Sequence, residues 1–211
     1  MYSFENLSPE QIRDKLNELL CRADVADVLS THAAAIAAPL PEIVPMFGFE
    51  QHNPYHDKDV WLHTVAVVAS VPPEPVLRWA ALLHDIGKPH CFSLDENGIG
   101  HFYGHARRST ELAEGILIRL GFDEALRERI LHLIHYHDAP LPTEEKPLRR
   151  FLRKHGEEVV RQLIALHRAD TLGQSALCQS RLAGYDALEA QIREFLTSED
   201  RPSQKGVPHA F

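Results

Sequence analysis

The sequence predicts an all-α fold, a single compact helical domain interrupted by one long loop near residues 91–104. Three observations predict it. Apolar residues recur at i, i+3, i+4 and i+7 offsets through most of the chain, the spacing of one helix face. Capping and stop signals bracket these runs. Strand-like alternation is weak and confined to the segment from Cys91 to Gly104.

The elements follow in order. Ser8, Pro9 and Gln11 read as a helix start, with Ser at the N-cap, Pro at the first helical position and Gln completing a capping box. That helix is expected to run to about Leu29. From His32 to Pro54, Pro39, Pro41, Pro45, Gly48 and Pro54 allow only short helical pieces within a wrapping loop. Val60, His63 and Val67 mark the next helix, and Leu77, Ala80, Ala81 and His84 the one after, which Gly87 and Pro89 should stop. Asn97 and Gly98 form a turn signal that can close a small hairpin in the long loop. Helices are then expected over about His105–Leu120, Asp123–Asp138, Pro147–His155 and Glu157–Leu172, and a last one using Leu182, Tyr185, Leu188, Ile192 and Phe195. The tail after Ser198 has too little apolar surface to offset its ordering entropy and is expected to be mobile. This divides the chain into an N-terminal helical extension (1–40), a main domain (41–197) and a tail (198–211).

The chain's 211 residues suffice for one core without disulfides. Cys21, Cys91 and Cys178 stand at unrelated spacings and read as free thiols in a reducing, cytoplasmic setting. The chain shows neither a basic leader followed by an apolar run nor a bilayer-length apolar stretch, so a soluble, untargeted protein is expected, with no membrane partner. A net charge of -8 argues against a general nucleic-acid binder, while a small phosphorylated ligand held by metal remains compatible. Arg149, Arg150 and Arg153 form a basic helical cluster whose simplest reading is a solvated face.

Fourteen histidines are the unusual feature of the composition, and their helical phase gives them meaning. His63, His84, His105, His137 and Asp170 each fall on the apolar stripe of a different helix, and Asp85 follows His84 directly. A lone carboxylate on an apolar face is costly, and Asp170 has no basic residue one turn away on its stripe. Either a distant arginine pairs with it or a cation does, and five helices each turning one such residue inward, together with the resemblance described next, favour the cation. His135 projects to the opposite face of its helix, so His137 is the expected ligand of the two. His167 lies one turn before Asp170 and is read as core or as a neighbour of the site.

The run Ala81-Leu82-Leu83-His84-Asp85-Ile86-Gly87-Lys88-Pro89 resembles the signature of the HD-domain superfamily of metal-dependent phosphohydrolases, with His63 upstream and Asp170 downstream matching its H...HD...D pattern. The segments Gln51 to Val60 and Gly100 to Ala106, with Tyr136-His137-Asp138, are similar to the HD domain of bacterial tRNA nucleotidyltransferases. The similarity covers roughly Pro41 to Ser175, with only about forty residues before it, so CCA addition is not expected and the phosphohydrolase half is what carries over.

The resemblance implies a metal quartet of His63, His84, Asp85 and Asp170, an additional pair His105 and His137 for a second ion, and a bridging role for Asp85. The N/O donor set suits Mn, Fe, Co, Ni or catalytic Zn, with Mg also possible. The expected activity is hydrolysis of a nucleotide phosphomonoester or a 2',3'-cyclic phosphodiester by metal-activated water, with Asp85 and Lys88 as the catalytic pair. Lys88, Arg107, His56 and Tyr103 are the expected substrate contacts, and Arg108 and His101 also stand in position to approach the ligand. Two alternatives stay open: a di-iron oxygenase of the same superfamily, and a non-catalytic nucleotide-binding module.

Overall fold

The computed structural model describes residues 2–199, and the tail expected to be mobile lies outside them beyond Glu199. The capping box forms as expected. Ser8 Oγ accepts the Gln11 N–H at 3.3 Å and Gln11 Oε1 accepts the Ser8 N–H at 2.8 Å, starting helix α1 (Pro9–Leu20). The first helix is shorter than expected, because the chain turns after Leu20 and restarts as α2 (Val25–Thr31). Arg22 holds both oxygens of Asp24 at 2.7 Å across this turn. The break lets α1 pack on α5 while α2 packs on α4, which one straight helix could not do.

The proline-rich stretch holds only α3 (Ala33–Ala37) and a 3-10 turn at Pro41–Met46. Asp59 then caps α4 (Val60–Ser70) by accepting the Leu62 N–H at 2.7 Å. Helix α5 (Pro75–Leu83) ends four residues before Gly87, and α6 (Lys88–Cys91) begins where a stop was expected. Proline in a first helical turn forfeits no hydrogen bond, so Pro89 opens α6 rather than closing α5.

The loop near 91–104 does close a small hairpin. Strands β1 (Ser93–Leu94) and β2 (Gly100–His101) pair antiparallel, with Asp95 Oδ1 accepting the N–H groups of Asn97 and Ile99 at 2.9 Å each. Helices α7 (His105–Arg119), α8 (Glu124–Tyr136), α9 (Glu145–His155), α10 (Glu157–Gly173) and α11 (Leu182–Glu199) complete the fold, with a 3-10 turn at Ala176–Arg181 before the last.

Helix α4 is central, packed on α10, α2 and α5, and α8 bridges α5 to α7. Val60, Val67, Trp79, Leu82, Leu83, Ile116, Ile130 and Leu163 are fully enclosed there. Each such side chain contributes roughly 1.5–3 kcal/mol relative to exposure, enough to fix the five helices around the polar cluster they surround. A second apolar cluster of Leu148, Ile164, Leu188, Ile192 and Phe195 seats α9 and α11 on the outer side of α10. Gly173 sets the approach of α10 to α4. A Cβ there would lie 2.9 Å from Val67 Cγ2 and 3.0 Å from His63 Nδ1, so only glycine lets Asp170 come this close to His63. Among the described residues no helix is long and apolar enough to cross a membrane.

Candidate metal centre

The inward residues of five helical segments meet at one point. His63 comes from α4, His84 and Asp85 from the turn after α5, His105 from the first turn of α7, His137 from the C-cap of α8 and Asp170 from α10. His63, His84 and Asp85 are fully buried, His105 and His137 nearly so, and Asp170 is partly open to solvent.

Asp85 is the shared member of two donor groups. On its Oδ2 side stand His63 Nε2 at 3.5 Å and His84 Nε2 at 3.2 Å, with Asp170 Oδ1 a further 2.9 Å from His63 Nε2. On its Oδ1 side stand His105 Nε2 at 3.4 Å and His137 Nε2 at 3.6 Å. The ligand atoms within each group lie within 4.8 Å of one another.

Backbone carbonyls aim three of the four imidazoles. Nδ1–H of His84 donates to Ala81 O at 2.7 Å, that of His105 to Phe102 O at 2.8 Å and that of His137 to Ile134 O at 2.6 Å, each three residues back. A carbonyl can only accept, so Nδ1 carries the proton and the Nε2 lone pair points into the cluster, the arrangement of a metal-binding histidine. The buried Nε2 atoms of His63 and His84 and both Asp85 oxygens have no hydrogen bond of good geometry. Buried polar atoms left this way are costly, and a divalent cation satisfies all of them together. With N and O donors and no thiolate, the residues fit such an ion.

The electrostatics agree. Burial alone would raise the carboxyl pKa values, but His84 and Lys88 hold Asp85 well below the usual carboxylate range, and His63 and His84 do the same for Asp170. Burial disfavours a charged His84, yet Asp85 and Asp170 outweigh it and carry its pKa up to about 10. A proton and a cation compete for the same Nε2. Metal affinity is therefore expected to rise with pH through the neutral range, where the carboxylates are already ionised and the imidazole proton is what must leave. Calorimetric titration of the metal in buffers of different ionisation enthalpy should show proton release, up to about tenfold in affinity per pH unit for each proton displaced. A pH-independent affinity with no release would contradict this account.

Lys88 is buried, not solvated. Its ammonium lies 2.7 Å from Asp85 Oδ2, donates to Gln51 Oε1 at 2.9 Å and stands 5.2 Å from the Phe102 ring centre. His56 lines the same cleft, edge-on to His63, and burial followed by the Lys88 charge press its pKa to about 3, so it is neutral. Tyr103 lies on the rim, largely exposed and stacked on His101. Arg107 is not brought to the site. At the third position of α7 it turns outward, its side chain 81% exposed, and pairs with Glu111 at 3.5 Å. Arg108 pairs with Glu111 as well.

A cleft of about 410 Å³ opens over the cluster from the Asn53, His56, Lys88 and Tyr103 side, and a second of about 420 Å³ opens beside Asp170 towards Tyr185 and Arg181. They share His137, Asp138, Asp170 and Gln174. Gln51, Asn53 and Asp138 fall in segments matched by the resemblance but carried no expected site role, and Gln174 carried none either. Gln174 had a usable signal, since it stands four residues after Asp170 and its amide donates to Asp170 Oδ2 at 2.9 Å.

An all-helical fold closed around a buried histidine and aspartate cluster, with His84 and Asp85 adjacent in the chain, defines a class that the comparisons identify. Residues 60–192 match the HD domain family, and the chain belongs to it. It is 32% identical over 202 residues to an A-adding tRNA nucleotidyltransferase of Deinococcus radiodurans, covering 92% of this chain and 46% of that protein. It is 33% identical over 171 residues to a CC-adding tRNA nucleotidyltransferase of Thermus thermophilus, covering 77% and 39% respectively. A multifunctional CCA protein of Aromatoleum aromaticum is 37% identical over 90 residues, 41% of this chain and 21% of that protein. The chain spans less than half the length of these relatives.

Proposed function

We propose that this chain is a metal-dependent phosphohydrolase acting on a nucleotide phosphomonoester or a 2',3'-cyclic phosphodiester. The observation that carries the reading is the buried Asp85 carboxylate, which faces two groups of imidazole donors with opposite oxygens at the floor of an open polar cleft. His63, His84, Asp85 and Asp170 would hold one divalent ion, and Asp85, His105 and His137 a second. When bound, such ions supply an acidified water and neutralise phosphate oxygens.

The protein's own residues do the rest. Lys88, fixed by Asp85 and Gln51, offers its remaining N–H capacity to a phosphate oxygen in the cleft. Neutral His56 can donate or accept a proton-bearing hydrogen bond at the opposite wall. Asp138 and Gln174, which line both clefts, can bond to a ribose hydroxyl. The relatives are named for acting on tRNA, which supports a nucleotide-bearing substrate.

The test is turnover. Released inorganic phosphate from nucleoside monophosphates, and ring opening of 2',3'-cyclic nucleotides, should vanish with chelator and return with Mn or Ni. Dioxygen consumption by the iron-loaded protein without any phosphoester turnover would replace the hydrolase by an oxygenase. Tight nucleotide binding without turnover under every metal would leave a binding module.

A further inference from the structure

Helix α9 has no part in the cluster, yet it carries the densest positive charge of the chain. Lys146, Arg149, Arg150, Arg153 and Lys154 stand within eleven residues, in a protein whose net charge is -8. A solvated salt-bridged face would interleave acids one turn away. Here Glu145 pairs with Arg149, and no ion pair is made by Lys146, Arg150 or Arg153 among the described residues.

Lys146, Arg150 and Lys154 recur at four-residue intervals and therefore share one face. All three are exposed and line one groove of about 610 Å³. Its remaining walls are aromatic and proline: Tyr136, Phe151 and His155, with Pro140, Pro142 and Pro147. The Phe151 and His155 rings lie 4.3 Å apart, and Lys154 Nζ stands 5.7 Å from the Tyr136 ring centre. The groove adjoins the cleft beside Asp170. Pro140 lines both it and the cleft beside Asp170, and Tyr136 directly precedes His137.

A row of cations at helical spacing, backed by ring faces, fits a phosphodiester backbone with unstacked bases. A small mononucleotide needs no such row, and an acidic peptide would leave the rings unused. The acidic charge elsewhere does not cancel this field, because exposed charges beyond about 8–10 Å are screened at physiological salt. We propose that the α9 groove docks a single-stranded polynucleotide, whose terminal nucleotide enters the metal centre. The second clause rests on the phosphohydrolase reading; the first does not.

The test is fluorescence anisotropy of a labelled twelve-nucleotide single-stranded RNA with the full chain, read without turnover, so its outcome is independent of whether the site hydrolyses anything. Three neutralised phosphates give a slope of about -2 in log affinity against log salt, or about 20-fold weaker binding from 50 to 200 mM. Lys146→Gln/Arg150→Gln/Lys154→Gln should flatten that slope and lose at least about tenfold in affinity at low salt. Arg22→Gln, which removes one charge from the turn after α1, should retain it. The three groove residues are exposed, and a melting curve checks that the triple variant folds. Absent binding in the wild type, or binding that the triple variant keeps, would overturn the proposal. Equal affinity for a polyglutamate of the same length would also overturn it, by assigning the groove to an acidic protein.

Discussion

Asp85→Asn is expected to purify with less than one equivalent of divalent metal where the wild type holds about two, and to lose on the order of 10³-fold in phosphoester turnover. The reason is geometric. Asp85 Oδ2 faces His63 and His84 while Oδ1 faces His105 and His137, so one carboxylate completes both donor groups. An amide keeps the shape but removes the charge and turns one oxygen into a donor. Removing any single histidine should cost one ion and leave the other. Elemental analysis of Asp85→Asn beside His137→Ala separates these outcomes. Two equivalents retained by Asp85→Asn would refute the shared carboxylate.

The same substitution has a folding consequence that must be told apart from ligation. It leaves the buried Lys88 ammonium with Gln51 and no counter-charge. Breaking such a pair from one side costs on the order of 3–5 kcal/mol. Lys88→Gln placed in the Asp85→Asn background removes that charge and should raise the melting temperature again without restoring metal. A second substitution that restored both would mean that Asp85 acts through the fold alone.

How far the centre could be read from the chain follows from what each residue had to satisfy. His63, His84, His105 and His137 were legible because a polar ring on an apolar stripe breaks the helical pattern, and the structure buries all four. Asp170 was legible for the same reason, reinforced by the cost of its charge. Gln51 and Asn53 were not, because they belong to an irregular loop where no periodicity assigns an inward direction. Asn53 reaches the cleft, and Gln51 the Lys88 ammonium, through backbone geometry: His52 adopts a positive φ of 49°, and Asn53 Nδ2 donates to Gly100 O at 3.2 Å. The split of the first helix into α1 and α2 was hidden too, since apolar spacing continues across Arg22 and Asp24 and only packing on two different helices reveals the turn. In α9 the sequence showed the charge but not its company. The basic stripe acquires a meaning only when Tyr136 and Pro140, from the preceding helix and loop, close a groove beside it.

Gly87 is where the sequence motif and the tertiary contact coincide, and Gly87→Ala is expected to damage one half of the centre selectively. Glycine is required there by space, not by backbone angle: its φ of -81° is open to any residue. A Cβ would stand 2.6 Å from both His105 O and Ser109 N, backbone atoms of the first turns of α7 that cannot swing aside. The Gly87 N–H also donates to Ser109 Oγ at 2.9 Å, tying the turn after α5 to α7. Alanine must therefore push α7 away from the turn that carries Asp85. Overpacking of this kind costs roughly 1–3 kcal/mol, a fall of roughly 2–12 °C in melting temperature for a chain of this size. The displacement moves His105 away from Asp85 Oδ1, while His63, His84 and Asp170, held by α4, α5 and α10, keep their places. The variant should keep about one equivalent of metal and lose the other. Loss of both ions with the melting temperature unchanged would contradict the division of the centre at Asp85, and retention of both would show that α7 can yield without moving His105.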